Sequence, residues 1–260
     1  MNRGNCCCIR TNPICVWQGT NLLAELLKKN CYLPDRVEKH GRGNFGIRDQ
    51  VPWGKHSPVG FRQHHMAKMG SQNVNQTSFF PAVVIKDPYT WMDSMCRHPY
   101  EAYWMGKKDH CPNLVPTTES EVMELKGEKT YRVHVRYSPD TIYYDSMAHL
   151  WSEWYQDWID AEFPRLMIRF EDLIFHTESV VEQVCSCAGG KAYEGPFKYI
   201  QDSAKGDKQS VHKGGNGLVK SIQKYGYPAN RVKSFQSEDL EYAKDNLSRD
   251  VMEMFHYRTP

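Results

Sequence analysis

The chain has no run approaching the roughly 18 to 20 consecutive apolar residues that a membrane-crossing helix needs, so no membrane span is expected. Met1 to Arg10 lack the apolar stretch of a secretory signal. There is no excess of charge of either sign: 33 Lys and Arg against 31 Asp and Glu leave a formal charge of +2. That field is too weak to make nucleic acid or a lipid surface a general partner, so any anion site has to be built locally. The nine cysteines show no paired spacing of a zinc site, and no metal is expected. Internal repeats and long linkers are also missing.

What is present is enough for a sizeable core. At 260 residues, 40% hydrophobic and 25% charged, the chain fits one large domain, expected over residues 13–260. The Cys6-Cys7-Cys8 triplet fits a palmitoylation site, a metal cluster or a disordered start; residues 1–12 are expected to be disordered and no function is placed there. Two sequons, Asn75-Gln76-Thr77 and Asn246-Leu247-Ser248, do not decide the compartment.

Periodicity alternates between strand and helix. Ile14 to Trp17 reads as a strand, Gln18-Gly19-Thr20-Asn21 as a tight turn, and Leu22, Leu23, Leu26 and Leu27 as a helix face. A second unit of the same shape is Ala82-Val83-Val84-Ile85, then Lys86-Asp87-Pro88, where proline can start a helix carrying Trp91, Met92 and Met95. Residues 34–80 between them are rich in Gly, Pro, His, Asn and Gln and read as a loop-dominated insert.

Further on, Met147, Leu150, Trp151, Trp154 and Trp158 recur at helical spacing, an aromatic stripe expected in the core. Leu166 to Phe170 reads as a strand, and Ser179-Val180-Val181-Glu182 as a capping box opening a helix that stops at Gly189-Gly190. A glycine- and lysine-rich loop, Lys205 to Gly217, precedes a helix start at Ser237-Glu238-Asp239-Leu240. The expectation is an α/β fold with a mainly parallel sheet flanked by helices, binding ligands at the carboxyl ends of its strands.

Two strand ends carry the candidate chemistry. At Gln18-Gly19-Thr20-Asn21 backbone N–H groups and a hydroxyl can point at one anion, although such a turn also arises for structural reasons. The Gly-Lys-Ser/Thr ending of a nucleoside triphosphatase loop is absent, which argues against ATP or GTP hydrolysis and against a P-loop kinase. Lys86, with Ser94 eight positions later, can supply a cation and a hydroxyl for a second phosphate, although singly they also fit a surface lysine and a helix serine.

Three ordered motifs together resemble the sulfotransferases that use 3′-phosphoadenosine-5′-phosphosulfate (PAPS). They are Trp17-Gln18-Gly19-Thr20-Asn21, Lys86-Asp87-Pro88 with Ser94, and Arg169-Phe170-Glu171-Asp172-Leu173; the likeness runs from about residue 14 to residue 257. The stretch from Lys86 to Met95, with Arg97-His98-Pro99-Tyr100, is similar to a microbial and algal branch of that family.

The resemblance implies a P-loop nucleoside-triphosphate-hydrolase-like sulfotransferase fold, PAPS as co-substrate, no metal, and a small molecule, carbohydrate or protein as sulfate acceptor. It implies the 5′-phosphate at Gln18, Gly19, Thr20 and Asn21, the 3′-phosphate at Lys86 and Ser94, the adenine at Phe170, and a closing segment at Lys213 and Gly214. It also implies His56 as general base and Lys55 beside the sulfuryl oxygens; an imidazole of pKa near ~6.5 suits the first role. Lys213-Gly214-Gly215 also fits a surface loop, and any one of 11 histidines can be structural. Family members work in the cytoplasm or the Golgi lumen, and the sequence leaves that choice open.

One residue departs from the family. Trp17 stands where the family has a lysine that stabilises the leaving group, and an indole cannot neutralise a phosphate. Loss of one such contact commonly costs about 10² to 10³ in rate. A catalytically impaired PAPS-binding protein is therefore the second reading. Lysine at position 86 keeps the charge of the family's arginine but not its bidentate fork.

Overall fold

The computed structural model describes residues 20–34, 37–38, 67–69, 72–74, 81–97, 99, 101–105, 110–137, 140–200 and 218–260. The strand expected at Ile14 to Trp17, most of the 34–80 insert and the Lys205 to Gly217 loop lie outside them. In chain order the elements are α1 (Thr20–Asn30), β1 (Cys31–Tyr32), β2 (Ala67–Met69), β3 (Gln72–Val74), β4 (Ala82–Ile85), α2 (Pro88–Arg97), β5 (Ala102–Trp104) and α3 (Glu119–Glu124). There follow β6 (Val133–Tyr137), β7 (Asp140–Tyr144), α4 (Met147–Asp160), β8 (Leu166–Arg169), α5 (Phe170–Phe175), α6 (Thr177–Cys187) and β9 (Lys191–Ala192). The chain ends with α7 (Leu218–Gly226), a 3₁₀ turn (Pro228–Arg231), α8 (Ser237–Asn246) and α9 (Arg249–Met254).

These elements make a mixed α/β structure in two compact units, one from Met1–Ile85 and Glu162–Gly226, the other from Lys86–Ala161 and Tyr227–Pro260. Parallel pairing among the described residues is confined to β4 and β8, with Val83 opposite Met167 and Val84 opposite Ile168. The ladders β1–β9, β2–β3 and β5–β6–β7 are antiparallel, so the described sheets are less parallel than the strand-helix alternation suggested.

In the first unit the α1 stripe behaves as its spacing predicts: Leu23, Leu26 and Leu27 are fully buried against Val84, Ile168, Leu173, Val181 and Val184. The strand β4 is a short apolar run buried on both faces, as parallel strands are, while in β8 only Ile168 is buried. A disulfide joins Cys31, the first residue of β1, to Cys185 on α6. The helix α6 ends as its glycines require. Gly189 takes a φ of 72°, its N–H reaches Ser186 O at 3.0 Å, and Gly190 N–H reaches Cys185 O at 2.8 Å. A β-carbon on Gly190 would lie 2.7 Å from both Cys31 Sγ and Cys185 Sγ, so the chain passes the disulfide where only glycine fits.

The helix α6 does not start at the expected capping box. It begins at Thr177, and Ser179 lies within it, accepting from Gln183 Nε2 at 3.0 Å. The reason is the preceding helix: the Thr177 hydroxyl donates to Leu173 O at 2.9 Å, which joins α6 to α5 with a single residue between.

In the second unit, strict alternation along β5–β6–β7 turns Ala102, Val133, Val135 and Tyr144 inward and Tyr103, Arg136 and Tyr143 outward. The aromatic stripe of α4 is core as expected, with Trp151, Trp154 and Trp158 buried. Ser146 caps that helix, accepting from Ala148 N at 3.2 Å and His149 N at 3.4 Å. Pro88 is the first residue of α2, whose Trp91, Met92 and Met95 are buried. A second disulfide joins Cys96, at the end of α2, to Cys111. The last expected start is displaced by one residue: Gln236 is the N-cap of α8, without a side-chain cap bond, while Glu238 and Asp239 occupy the first turn.

Candidate site at the start of helix α2

Asp87 precedes the Pro88 that opens α2, and this order dictates the local structure. An aspartate at the N-cap can accept from the backbone of the first turn, and a proline at the next position gives up a donor that has no partner anyway. Asp87 Oδ1 accepts from Thr90 N at 3.0 Å, and Asp87 O accepts the first helical bond, from Trp91 N, at 2.8 Å. Lys86, directly before this cap, is 3% exposed; its carbonyl accepts from Trp151 Nε1 at 3.0 Å.

Eight residues is a little over two helical turns, which lets the Lys86 side chain lie along α2 as far as Ser94. Lys86 Nζ donates to Ser94 Oγ at 2.7 Å, and Ser94 Oγ donates to Thr90 O at 2.7 Å. The two residues singled out in the sequence are thus brought together, as a buried ammonium and hydroxyl. Ser94 is the seventh of the ten residues of α2, so the ammonium lies alongside the helix, and its positive charge suits an anion.

The other residues singled out by sequence fall as follows. Thr20 is the first residue of α1, and Asn21, half-buried, follows it. Phe170 is the first residue of α5 rather than the end of β8; its ring meets Tyr225 edge-on, with centroids 5.2 Å apart. Thr20, Asn21 and Phe170 belong to the first unit, Lys86 and Ser94 to the second. Gln18, Gly19, Lys55, His56, Lys213 and Gly214 lie outside the described residues, as does Trp17.

Two features of the second unit were not read from the sequence. Arg231, from the 3₁₀ turn, grips Asp87 Oδ2 through Nε at 2.9 Å and Nη2 at 2.6 Å, with Asp87 6% exposed. It lies 5.2 Å over the Tyr89 ring, whose hydroxyl is pushed up to about 12, mainly by burial. The helix start was legible in Pro88; the Asp87 cap was not read, and the arginine lies 144 residues away.

The other feature is His110, held between two carboxylates: Nδ1 meets Glu121 Oε1 at 2.8 Å and Nε2 meets Asp239 Oδ2 at 2.7 Å. All three side chains are at most 4% exposed. Glu121 belongs to a capping box with Thr118 at the start of α3, and its Oε2 also accepts from Thr117 N at 2.7 Å. Asp239 Oδ1 accepts from Leu114 N at 2.8 Å and Val115 N at 3.2 Å.

Burial works against charge at all three, with different outcomes. At His110 it is outweighed by the Glu121 hydrogen bond and by Asp239, so the imidazole pKa rises. At Glu121 it is outweighed by the Thr117 backbone N–H and by His110, so the carboxyl falls to about 2. At Asp239 burial wins over the Leu114 N–H and His110, and the pKa rises. With both ring nitrogens committed to carboxylates, the trio is a structural tie and offers no lone pair for proton transfer.

Among the described residues no cluster of three or more His, Cys, Asp or Glu side chains could hold a metal ion, and no helix is long and apolar enough to cross a membrane. No family model, curated protein or solved structure matches this chain.

Proposed function

We propose that this chain binds PAPS and transfers its sulfuryl group to a hydroxyl or amine acceptor, on a P-loop-type sulfotransferase fold. The observation that carries the reading is the buried Lys86 Nζ to Ser94 Oγ contact of 2.7 Å alongside α2. It supports the assignment of that pair to the 3′-phosphate, the feature that distinguishes this donor from ATP. Phe170, directly after β8 of the parallel pair β4–β8, is consistent with a ligand at the carboxyl end of a parallel strand.

In the proposed reaction the acceptor oxygen or nitrogen attacks sulfur in line with the bridging oxygen. The new S–O or S–N bond forms as the old S–O bond breaks, and its electron pair leaves on the 5′-phosphate. His56 takes the acceptor proton and Lys55 offsets charge on the sulfuryl oxygens. Catalysis is then positioning and charge stabilisation, with the Gly19 loop, Lys86 and Ser94 holding the donor.

A thermal-shift titration with adenosine 3′,5′-bisphosphate, 5′-AMP and Mg·ATP tests the donor site. The bisphosphate alone should stabilise the protein, by about 2.7 kcal/mol at 100 times its dissociation constant. Lys86→Ala should abolish that response. Equal or stronger stabilisation by ATP, or none at all, would sink the reading.

Trp17 favours the second reading, a PAPS-binding protein with impaired turnover. Trp17→Lys is expected to raise the single-turnover rate of sulfuryl transfer about 10²- to 10³-fold if a leaving-group cation is what is missing. A rate unchanged by that substitution would mean that leaving-group charge is met elsewhere.

A further inference from the structure

A lysine in place of a guanidinium brings charge without fixed direction: a compact ammonium on a flexible four-carbon stem. If Lys86 holds a phosphate, something else must set its place. Its neighbour Asp87 adds a second difficulty, because a carboxylate one residue away would repel the phosphate and compete for the ammonium. The Asp87–Arg231 pair answers both points.

We propose that Arg231 is a positioning residue of the anion site: through Asp87 it fixes the first turn of α2, and hence Lys86 and Ser94, and it cancels the Asp87 charge. The proposal rests on the reading of Lys86 and Ser94 as 3′-phosphate ligands. The geometry is that of a clamp. Asp87 gives Oδ1 to the helix backbone at Thr90 N and Oδ2 to two nitrogens of Arg231. Arg231 is anchored by Nη2 on Arg258 O at 2.5 Å and by the Tyr89 ring beneath it, which Phe235 also contacts at 5.6 Å between centroids. The guanidinium is 20% exposed, so its pairing with Asp87 is only weakly screened by solvent.

The readout is the ratio of dissociation constants for 5′-AMP and adenosine 3′,5′-bisphosphate, measured by calorimetry. Arg231→Ala should lower that ratio at least tenfold, and Arg231→Lys should recover part of it. In a Lys86→Ala background Arg231→Ala should change the ratio by less than it does in the wild type, since part of the arginine's action runs through the lysine. Arg231→Gln carries the test if the alanine variant does not fold.

An unchanged ratio in these variants, or equal weakening of both ligands, would reduce Arg231 to a general structural role and overturn the inference. If the wild-type protein shows no preference for the bisphosphate, the 3′-phosphate reading itself fails and the role of Arg231 goes with it. If the preference exists and Lys86→Ala removes it while the Arg231 variants keep it, only the Arg231 inference is lost.

Discussion

His110→Leu is expected to lower the unfolding free energy by about 3 to 5 kcal/mol, the usual cost of removing one partner from a buried ion network. The substitution leaves the Glu121 and Asp239 carboxylates, 4% and 0% exposed, without the cation that bridges them. Backbone donors from Thr117, Leu114 and Val115 stay in place and limit the damage. His110→Gln should cost less, since its amide can still donate to one carboxylate. Urea unfolding followed by near-ultraviolet circular dichroism measures both; a loss well under about 1 kcal/mol in the leucine variant would show that the trio is not an ion network.

The same trio sets a pH dependence whose sign can be worked out. Glu121, held near 2 against an ordinary 4.5, contributes stability that is complete above 4.5 and is lost as pH falls toward 2. His110, raised above 6.5, contributes stability that is complete below 6.5 and is lost as pH climbs through its raised value. Asp239, raised above 3.8 by burial, likewise favours the acid side. Stability from the trio should therefore peak in mildly acid solution, between about 4.5 and 6.5. His110→Leu should remove the decline of this contribution on the alkaline side.

Breaking the Cys31–Cys185 disulfide is the second large effect expected, about 2 to 5 kcal/mol. The bond joins residues 154 apart in sequence, so its main action is to restrict the unfolded chain. Both sulfurs are buried, and Gly190 runs against them, so the reduced form also loses a well-packed corner. Thermal unfolding of the Cys31→Ala/Cys185→Ala double variant against wild type measures the sum. An unchanged midpoint would mean that the bond adds nothing beyond what packing already supplies. Disulfides persist in oxidising compartments, so protein produced there should be the more stable preparation.

Local rules made much of the structure legible. The α1 stripe, the proline start of α2, the aromatic face of α4 and the Gly189 stop of α6 each follow from residues within one or two helical turns. The Lys86–Ser94 contact was only half legible: both residues were named, but Lys86 precedes the helix that carries Ser94, so their spacing did not fix the distance between them. Where local reading slipped, at Ser179 and Ser237, a neighbouring element supplied what the expected cap would have done or moved the boundary by one residue.

Sequence by itself determined the leucine stripe of α1, the proline start of α2, the aromatic face of α4 and the apolar runs of β4 and β8, since each depends on short-range periodicity and backbone preference. Tertiary structure alone decided that Asp239 meets a histidine 129 residues away, that Cys31 meets Cys185, and that Arg231 closes on Asp87 across 144 residues. A helix-capping pattern shows that a carboxylate will be near a backbone N–H, but not which distant cation will face its other oxygen. That partner is chosen when apolar faces pack and the charges left inside must be paired, a condition set by the whole fold rather than by any one segment.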